Sequence, residues 1–281
     1  MTIDPSLRIS SVDLAVGDLS RSADFYERVL GLKPLAQSQD QVVLGADDET
    51  ALRLSPIAEA TRAPTRSSGL FHVAWLHPSR AALAATVRRI VQAGWRFDGA
   101  ADHGVSEALY LSDPDGLGIE IYADRPREQW ARPPGGHGVE MVTLALDIDD
   151  LLAQAPEAPA SQIAPGTVVG HVHMKVADVA RANAFYRDVL GFEEQATLPS
   201  AAFLAAGGYH HHVGLNSWQS QGAARAPDSA PGLRNVGFAL GSVAAIEALE
   251  LQAGSDAALV READDQLSLH DPDGQLLSFT A

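Results

Sequence analysis

The chain contains no cysteine. Disulfides, zinc–thiolate sites, iron–sulfur clusters and thiol catalysis are excluded together. Long apolar runs are missing too, none approaching the roughly 18 residues of a membrane-spanning helix. Basic residues are scarce: 20 Lys and Arg stand against 36 Asp and Glu, for a net charge of −16. Such a surface repels nucleic-acid phosphates, so neither a nucleic acid nor a membrane is an expected partner. Met1–Asp4 opens no signal-peptide pattern, and the expected location is cytoplasmic. What remains is a chain of 281 residues, 46% hydrophobic, which can bury one large core or two mid-sized ones. It carries ten histidines, so any metal must rest on His, Asp or Glu.

The sequence repeats itself. Asp18-Leu-Ser-Arg-Ser-Ala-Asp-Phe-Tyr-Glu-Arg-Val-Leu-Gly-Leu32 returns as Asp178-Val-Ala-Arg-Ala-Asn-Ala-Phe-Tyr-Arg-Asp-Val-Leu-Gly-Phe192, with seven of fifteen positions identical at an offset of 160. Leu109-Tyr-Leu-Ser-Asp-Pro-Asp-Gly116 returns as Leu267-Ser-Leu-His-Asp-Pro-Asp-Gly274 at an offset of 158. Two echoes at nearly one spacing indicate a duplicated architecture. Each copy opens on an alternating strand, Ile9–Val16 or His171–Val176, and runs into a capping Asp, Asp18 or Asp178. A short helix follows, stopped at Gly31 or Gly191. Strands come next: Val42–Leu44 and Ala51–Leu54 in the first copy, Ala202–Ala205 and His210–Asn216 in the second. The grammar then restarts within each copy, with helices at Ser79–Ala93 and Ser242–Ala253. The fold class is therefore α+β, with four βαβββ units starting near residues 7, 69, 168 and 233. Residues 7–125 form one module of two units and 167–281 a second. Residues 126–166, rich in Pro, Ala and Gly, connect them, with a helical turn at Asp147–Gln154 and His137 exposed.

Four such units resemble the vicinal oxygen chelate superfamily, which includes glyoxalase I, extradiol ring-cleaving dioxygenases and antibiotic-resistance proteins. The resemblance covers nearly the whole chain outside the connection. It implies two cupped mixed sheets with a divalent metal in a hollow and helices outside. Strand alternation assigns the faces. Val73, Trp75, Leu109, Leu111, Ile119 and Ile121 pack outward, leaving His72, Tyr110 and Glu120 inside. Val172, Met174 and Val176 leave His171 and His173 inside, and Val213 and Leu215 leave His210, His212 and Asn216 inside, with His211 packed outward.

The superfamily's metal-bearing places are the start of strand one and the middle of strand four. His72, Glu120 and His171 fall there in units two and three, whereas units one and four offer Ser11, Arg53, Asn235 and Ser278, no ligand set. Two imidazoles and a carboxylate form the facial triad of non-haem iron(II) enzymes. The run from His103 through Tyr110 and Asp113-Pro-Asp-Gly116 to Glu120 is similar to the extradiol dioxygenase signature, departing from it at Ala101. That resemblance implies Fe(II), with Mn(II) suited to the same donors, held by His72, His171 and Glu120. It implies His103 and Tyr110 as substrate-contacting groups and, with strand parity, His212 as the acid–base histidine. His173, His210 and Asn216 would stand behind them. The expected activity is that of a catechol 2,3-dioxygenase acting on a catechol and dioxygen in aromatic compound catabolism. Homo-oligomerisation stays open.

Each histidine alone has a bland reading, as a hydrogen-bonded core residue or part of a solvated patch. Glu120 between two isoleucines does not, because a carboxylate facing a hollow needs a cation. In the common two-module extradiol enzymes the iron set lies on units three and four. Here it is divided between units two and three, which requires those two to share one cup. A glyoxalase-type isomerase or lyase and a metal-free drug-binding resistance protein are the rival functions.

Overall fold

The computed structural model describes residues 2–47, 50–157, 160–254 and 258–281. Unit one comprises β1 (Arg8–Val16), α1 (Leu19–Phe25), β2 (Lys33–Gln37), β3 (Val42–Gly45) and β4 (Ala51–Pro56). Unit two comprises β5 (Gly69–Leu76), α2 (Arg80–Gln92), β6 (Gly99–Asp102), β7 (Ser106–Ser112) and β8 (Gly118–Asp124). The connection carries α3 (Ile148–Ala153), capped by Asp147 as its sequence suggests. Unit three comprises β9 (Val168–Lys175), α4 (Val179–Ala184), β10 (Glu193–Leu198), β11 (Ala201–Ala205) and β12 (Val213–Asn216). Unit four comprises β13 (Gly232–Ala239), α5 (Val243–Ala253), β14 (Val260–Ala263), β15 (Gln266–His270) and β16 (Leu276–Thr280).

The units pair crosswise into two mixed eight-stranded sheets. One runs β14-β15-β16-β13-β1-β4-β3-β2, the other β10-β11-β12-β9-β5-β8-β7-β6. Units one and four thus share a sheet, and units two and three share the other. In each, the first strands of two units meet antiparallel, β1 with β13 and β5 with β9. The apolar alternation resolves as read: Val73, Trp75, Leu109, Leu111, Ile119, Ile121, Val172 and Met174 all belong to the main core.

The two sequence echoes find each other in space. The Tyr26 hydroxyl donates to Asp113 Oδ2 at 3.2 Å, and Tyr186 donates to Asp271 Oδ2 at 3.1 Å. The next Asp of each turn reaches the strand end preceding the helix: Asp115 accepts from Gly17 N at 2.8 Å, Asp273 from Ala177 N at 2.9 Å. Arg21 and Arg181 close the same contacts as ion pairs. So the helix of one unit is locked to the turn of the next, across the two sheets.

The structure differs from the sequence reading in two respects. The second strand of every unit escaped it, because β2 and β14 are exposed over most of their length and β6 and β10 over half, leaving no apolar alternation to see. The strand read from His210 begins only at Val213, since Gly207 and Gly208 turn the chain at φ 59° and 67° just before the histidines.

Candidate metal centre

The three central strands β9, β5 and β8 each contribute one candidate ligand. Across the sheet, His171, Ala74, Glu120 and Tyr110 lie in one row on β9, β5, β8 and β7. The adjacent row holds Gly214, His173, His72 and Gly118 on β12, β9, β5 and β8. Ala74 is the spacer: its small side chain leaves the gap into which Glu120, His171 and, from the next row, His72 converge. One ligand atom from each lies within 4.8 Å of the other two. His72 Nε2 is 2.9 Å and His171 Nε2 is 3.3 Å from Glu120 Oε2. All three residues are buried, at 5%, 1% and 3% exposure. Among the described residues no other His, Asp or Glu group converges in this way.

The electrostatics suit a cation. Burial holds His171 neutral, lowering its pKa to about 4. Burial works against the Glu120 carboxylate, but the electrostatic pull of His171 and His72 and the hydrogen bond with His171 outweigh it and hold the group well below the usual carboxylate range. Glu120 is therefore an anion among imidazoles. His72 Nε2 has no hydrogen-bond partner although Oε2 lies 2.9 Å away. The two atoms are close without the geometry of a hydrogen bond. Two imidazoles and one carboxylate, with His72 Nε2 and His171 Nδ1 unpartnered, fit a divalent ion with open positions on one side.

Beside the triad, the Tyr110 ring centroid lies 5.6 Å from that of His72, and a 2.7 Å hydrogen bond links Tyr110 to His103. The Val142 carbonyl, from the connecting segment, lies 2.8 Å from His103 Nδ1. That nitrogen must carry hydrogen, so in neutral His103 Nε2 accepts from the Tyr110 hydroxyl. Burial and then Glu120 raise the Tyr110 pKa, keeping the phenol protonated. His173 contacts the triad through His72, ring centroids 5.0 Å apart, and Asn216 Nδ2 sits 3.1 Å from His173 Nε2. Gly214 makes this ring's place. A Cβ there would stand 2.7 Å from His173 Cγ.

The histidine triplet departs from strand parity. His211, expected outward, packs its ring on His171 with centroids 3.9 Å apart and is 4% exposed. His212, expected at the site, rests its ring on Tyr209 at 5.0 Å and accepts the Ala206 N–H through Nδ1 at 3.2 Å. It lines a separate hollow of about 210 Å³ with Leu76, Val168 and Arg127. Alternation fails because His210 and His211 lie in the turn ahead of β12. Two signals were invisible in the sequence: the Val142 carbonyl, and Asp124, which lies 2.9 Å from His210 Nε2.

In the other cup, Asn235 donates to Ser278 Oγ at 2.9 Å and to Asp13 at 3.3 Å, and Arg53 pairs with Asp13 at 3.2 Å. These groups bond chiefly to one another, with Asn235 Oδ1 left unpartnered.

Comparison with known proteins agrees with this architecture. The sequence pattern of the Glyoxalase/Bleomycin resistance protein/Dioxygenase superfamily matches residues 8–121 and 168–279. A catechol-2,3-dioxygenase of Bacillus subtilis (strain 168) is 43% identical over 236 residues, spanning 83% of this chain and 82% of that protein. Among solved structures, a Bacillus subtilis protein provisionally designated a dioxygenase superposes with a TM-score of 0.70 at 13% identity, over 100% of this chain and 86% of the other. Glyoxalase I from Zea mays superposes with a TM-score of 0.60 at 18% identity, over 98% and 92%. At those identities the structures speak to the fold alone.

Proposed function

Because the chain belongs to the glyoxalase/bleomycin resistance protein/dioxygenase superfamily, we propose that it is an extradiol dioxygenase. It would cleave the ring of a catechol or substituted catechol beside the two hydroxyls, with Fe(II) held by His72, His171 and Glu120. The observation that carries this reading is the convergence of three buried donor atoms within 4.8 Å. The 43% identity to a catechol-2,3-dioxygenase supports the substrate class.

When bound, Fe(II), or Mn(II) on the same donors, supplies Lewis acidity and open positions for the catechol oxygens and dioxygen. The chain's own groups do the rest. His211 is a neutral imidazole, its pKa pushed well below the usual value by burial and then by the neighbouring histidines. It takes a catechol proton and later returns it, the role first assigned to His212 from strand parity. Tyr110, its hydroxyl hydrogen given to His103 Nε2, keeps its oxygen free to accept a hydrogen bond from a substrate hydroxyl. Phe71, Phe203 and Trp218 pack around His173 at centroid distances of 5.1, 5.8 and 5.9 Å and give a planar ring an apolar wall. His173, held by Asn216, completes that wall.

A glyoxalase-type reaction would call for a second carboxylate facing Glu120, and among the described residues the converging group has one. Such an enzyme would act in aromatic compound catabolism in the cytoplasm. Among the described residues no helix is long and apolar enough to cross a membrane. The test is anaerobic loading with Fe(II), then catechol and air. Stoichiometric oxygen uptake with a yellow ring-fission product is the expected result. A loaded protein that consumes no oxygen with catechol or its alkyl- and carboxyl-substituted forms overturns the proposal.

A further inference from the structure

A line of short hydrogen bonds leads away from the candidate site. His211 Nδ1 lies 2.7 Å from His210 Nδ1, and His210 Nε2 lies 2.9 Å from Asp124 Oδ1. His210 is fully buried, between Tyr209 at 4.1 Å and Trp130 at 5.3 Å. The Tyr209 hydroxyl also donates to Asp124 Oδ1, at 3.3 Å, and lies 2.8 Å from the Tyr122 hydroxyl.

Donor and acceptor rules order this line. A carboxylate only accepts, so His210 Nε2 carries the hydrogen given to Asp124. In neutral His210 the other nitrogen, Nδ1, is then bare and must accept. Its partner is His211 Nδ1, which therefore carries hydrogen, and His211 Nε2 is left bare. We propose that Asp124 and His210 are positioning residues that hold His211 in the Nδ1-protonated tautomer, keeping an unshared pair on Nε2 to receive a substrate proton. The inference rests on the dioxygenase reading for what that lone pair does, and on geometry alone for the tautomer.

The logic is that of a carboxylate–imidazole pair fixing a second group. A histidine catalyst in the wrong tautomer keeps its place and loses its function. His211 protonated on Nε2 instead would present an N–H where a base is wanted.

Two measurements test this, and the first does not depend on activity. Nitrogen NMR of the metal-free protein, with the His211 resonances assigned by their loss in His211→Phe, reports which ring nitrogen carries hydrogen. Nδ1 is expected to be protonated in the wild type, and Nε2 in His210→Phe, which removes the acceptor. His210→Asn places an amide oxygen near the former Nδ1 and should restore the wild-type tautomer. In the iron-loaded enzyme, His210→Phe should lower kcat by roughly 10²-fold, within the range for acid–base catalysis, at unchanged KM for catechol and unchanged iron content. His210→Asn should recover most of it. A wild-type His211 protonated on Nε2, or a tautomer indifferent to position 210, overturns the proposal whatever the activity. A tautomer that follows position 210 in a protein inert toward catechol supports the positioning and sinks the dioxygenase reading alone. Should His210→Phe fail to fold, the wild-type and His210→Asn spectra still decide the tautomer.

Discussion

Replacing Asp113 by Asn should flatten the pH dependence of stability between about pH 4 and pH 7. Asp113 is 4% exposed in the turn that joins unit two to the helix of unit one. Burial raises its pKa from 3.8 to about 6, against the opposing pull of the Leu117 and Asp115 N–H groups and the Tyr26 hydroxyl. The folded state thus holds this proton more tightly than the unfolded chain. The contribution favours folding fully below the unfolded value and is lost as pH rises through about 6. A shift of about two units corresponds to about 3 kcal/mol at 1.36 kcal/mol per unit. Asparagine keeps the geometry: its Oδ1 can accept both 2.8 Å backbone bonds, and its amide can donate to Tyr26. Urea unfolding of the metal-free wild type and variant across this range isolates the difference, since every other titrating group cancels. The wild type should lose about 3 kcal/mol relative to Asp113→Asn on going from the acid to the neutral end. A difference that stays constant with pH to within about 1 kcal/mol would refute the reasoning. Asp271, raised by burial in the equivalent turn, should behave with the same sign.

Glu120→Gln removes the anionic donor, so the thermal stabilisation that saturating Mn(II) gives the wild type, about 2.7 kcal/mol at a hundredfold excess over Kd, should vanish; an undiminished melting shift in calorimetry would show that Glu120 is not a ligand. His211→Phe leaves the donors in place, so iron content by elemental analysis should hold while catechol-dependent oxygen uptake drops roughly 10²–10⁴-fold. Loss of iron would make His211 a ligand instead. Gly214→Ala drives a Cβ to within 2.7–3.0 Å of the His173 ring, at a cost of about 1–3 kcal/mol for overpacking. Denaturant titration should show this with a raised KM for catechol, and a neutral variant would mean that the ring has room to move.

The legibility of this protein in its sequence follows from what periodicity can carry. Strands with one face in the core read correctly: His72 between the core positions Leu70 and Val73, and Glu120 between Ile119 and Ile121, land within one group. Edge strands such as β2 had no apolar period to show. Parity failed at His210–His212 because it presumes a continuous pleat, and two glycines at positive φ had already turned the chain. The Asp-Pro-Asp-Gly runs read as turns and no more. Their carboxylates are the sockets for Tyr26 and Tyr186, a long-range pairing that local chemistry does not encode. Nor could position along the chain reveal that Val142 and Asp124 would orient His103 and His210.

The two cups set an internal control for what makes a site. Register equates their positions one by one. Ala74 pairs with His171 and Glu120 as Gly237 pairs with Ser11 and Ser278, and His72 faces His173 as Asn235 faces Asp13. Backbone, pairing and the small residue at the crossing are therefore the same in both sheets. The difference lies in the side chains: in one cup hydroxyl, amide and carboxylate groups bond to each other and to Arg53. In the other, two imidazoles and a carboxylate crowd together with His72 Nε2 unpartnered. Groups that chiefly bond one another leave little for a cation, although Asn235 Oδ1 stays unpartnered, whereas two imidazoles crowded on a buried carboxylate suit one. The scaffold is neutral between these outcomes. Because the triad takes His72 and Glu120 from one half of the chain and His171 from the other, the antiparallel seam between β5 and β9 is what assembles it, and neither half alone contains the site.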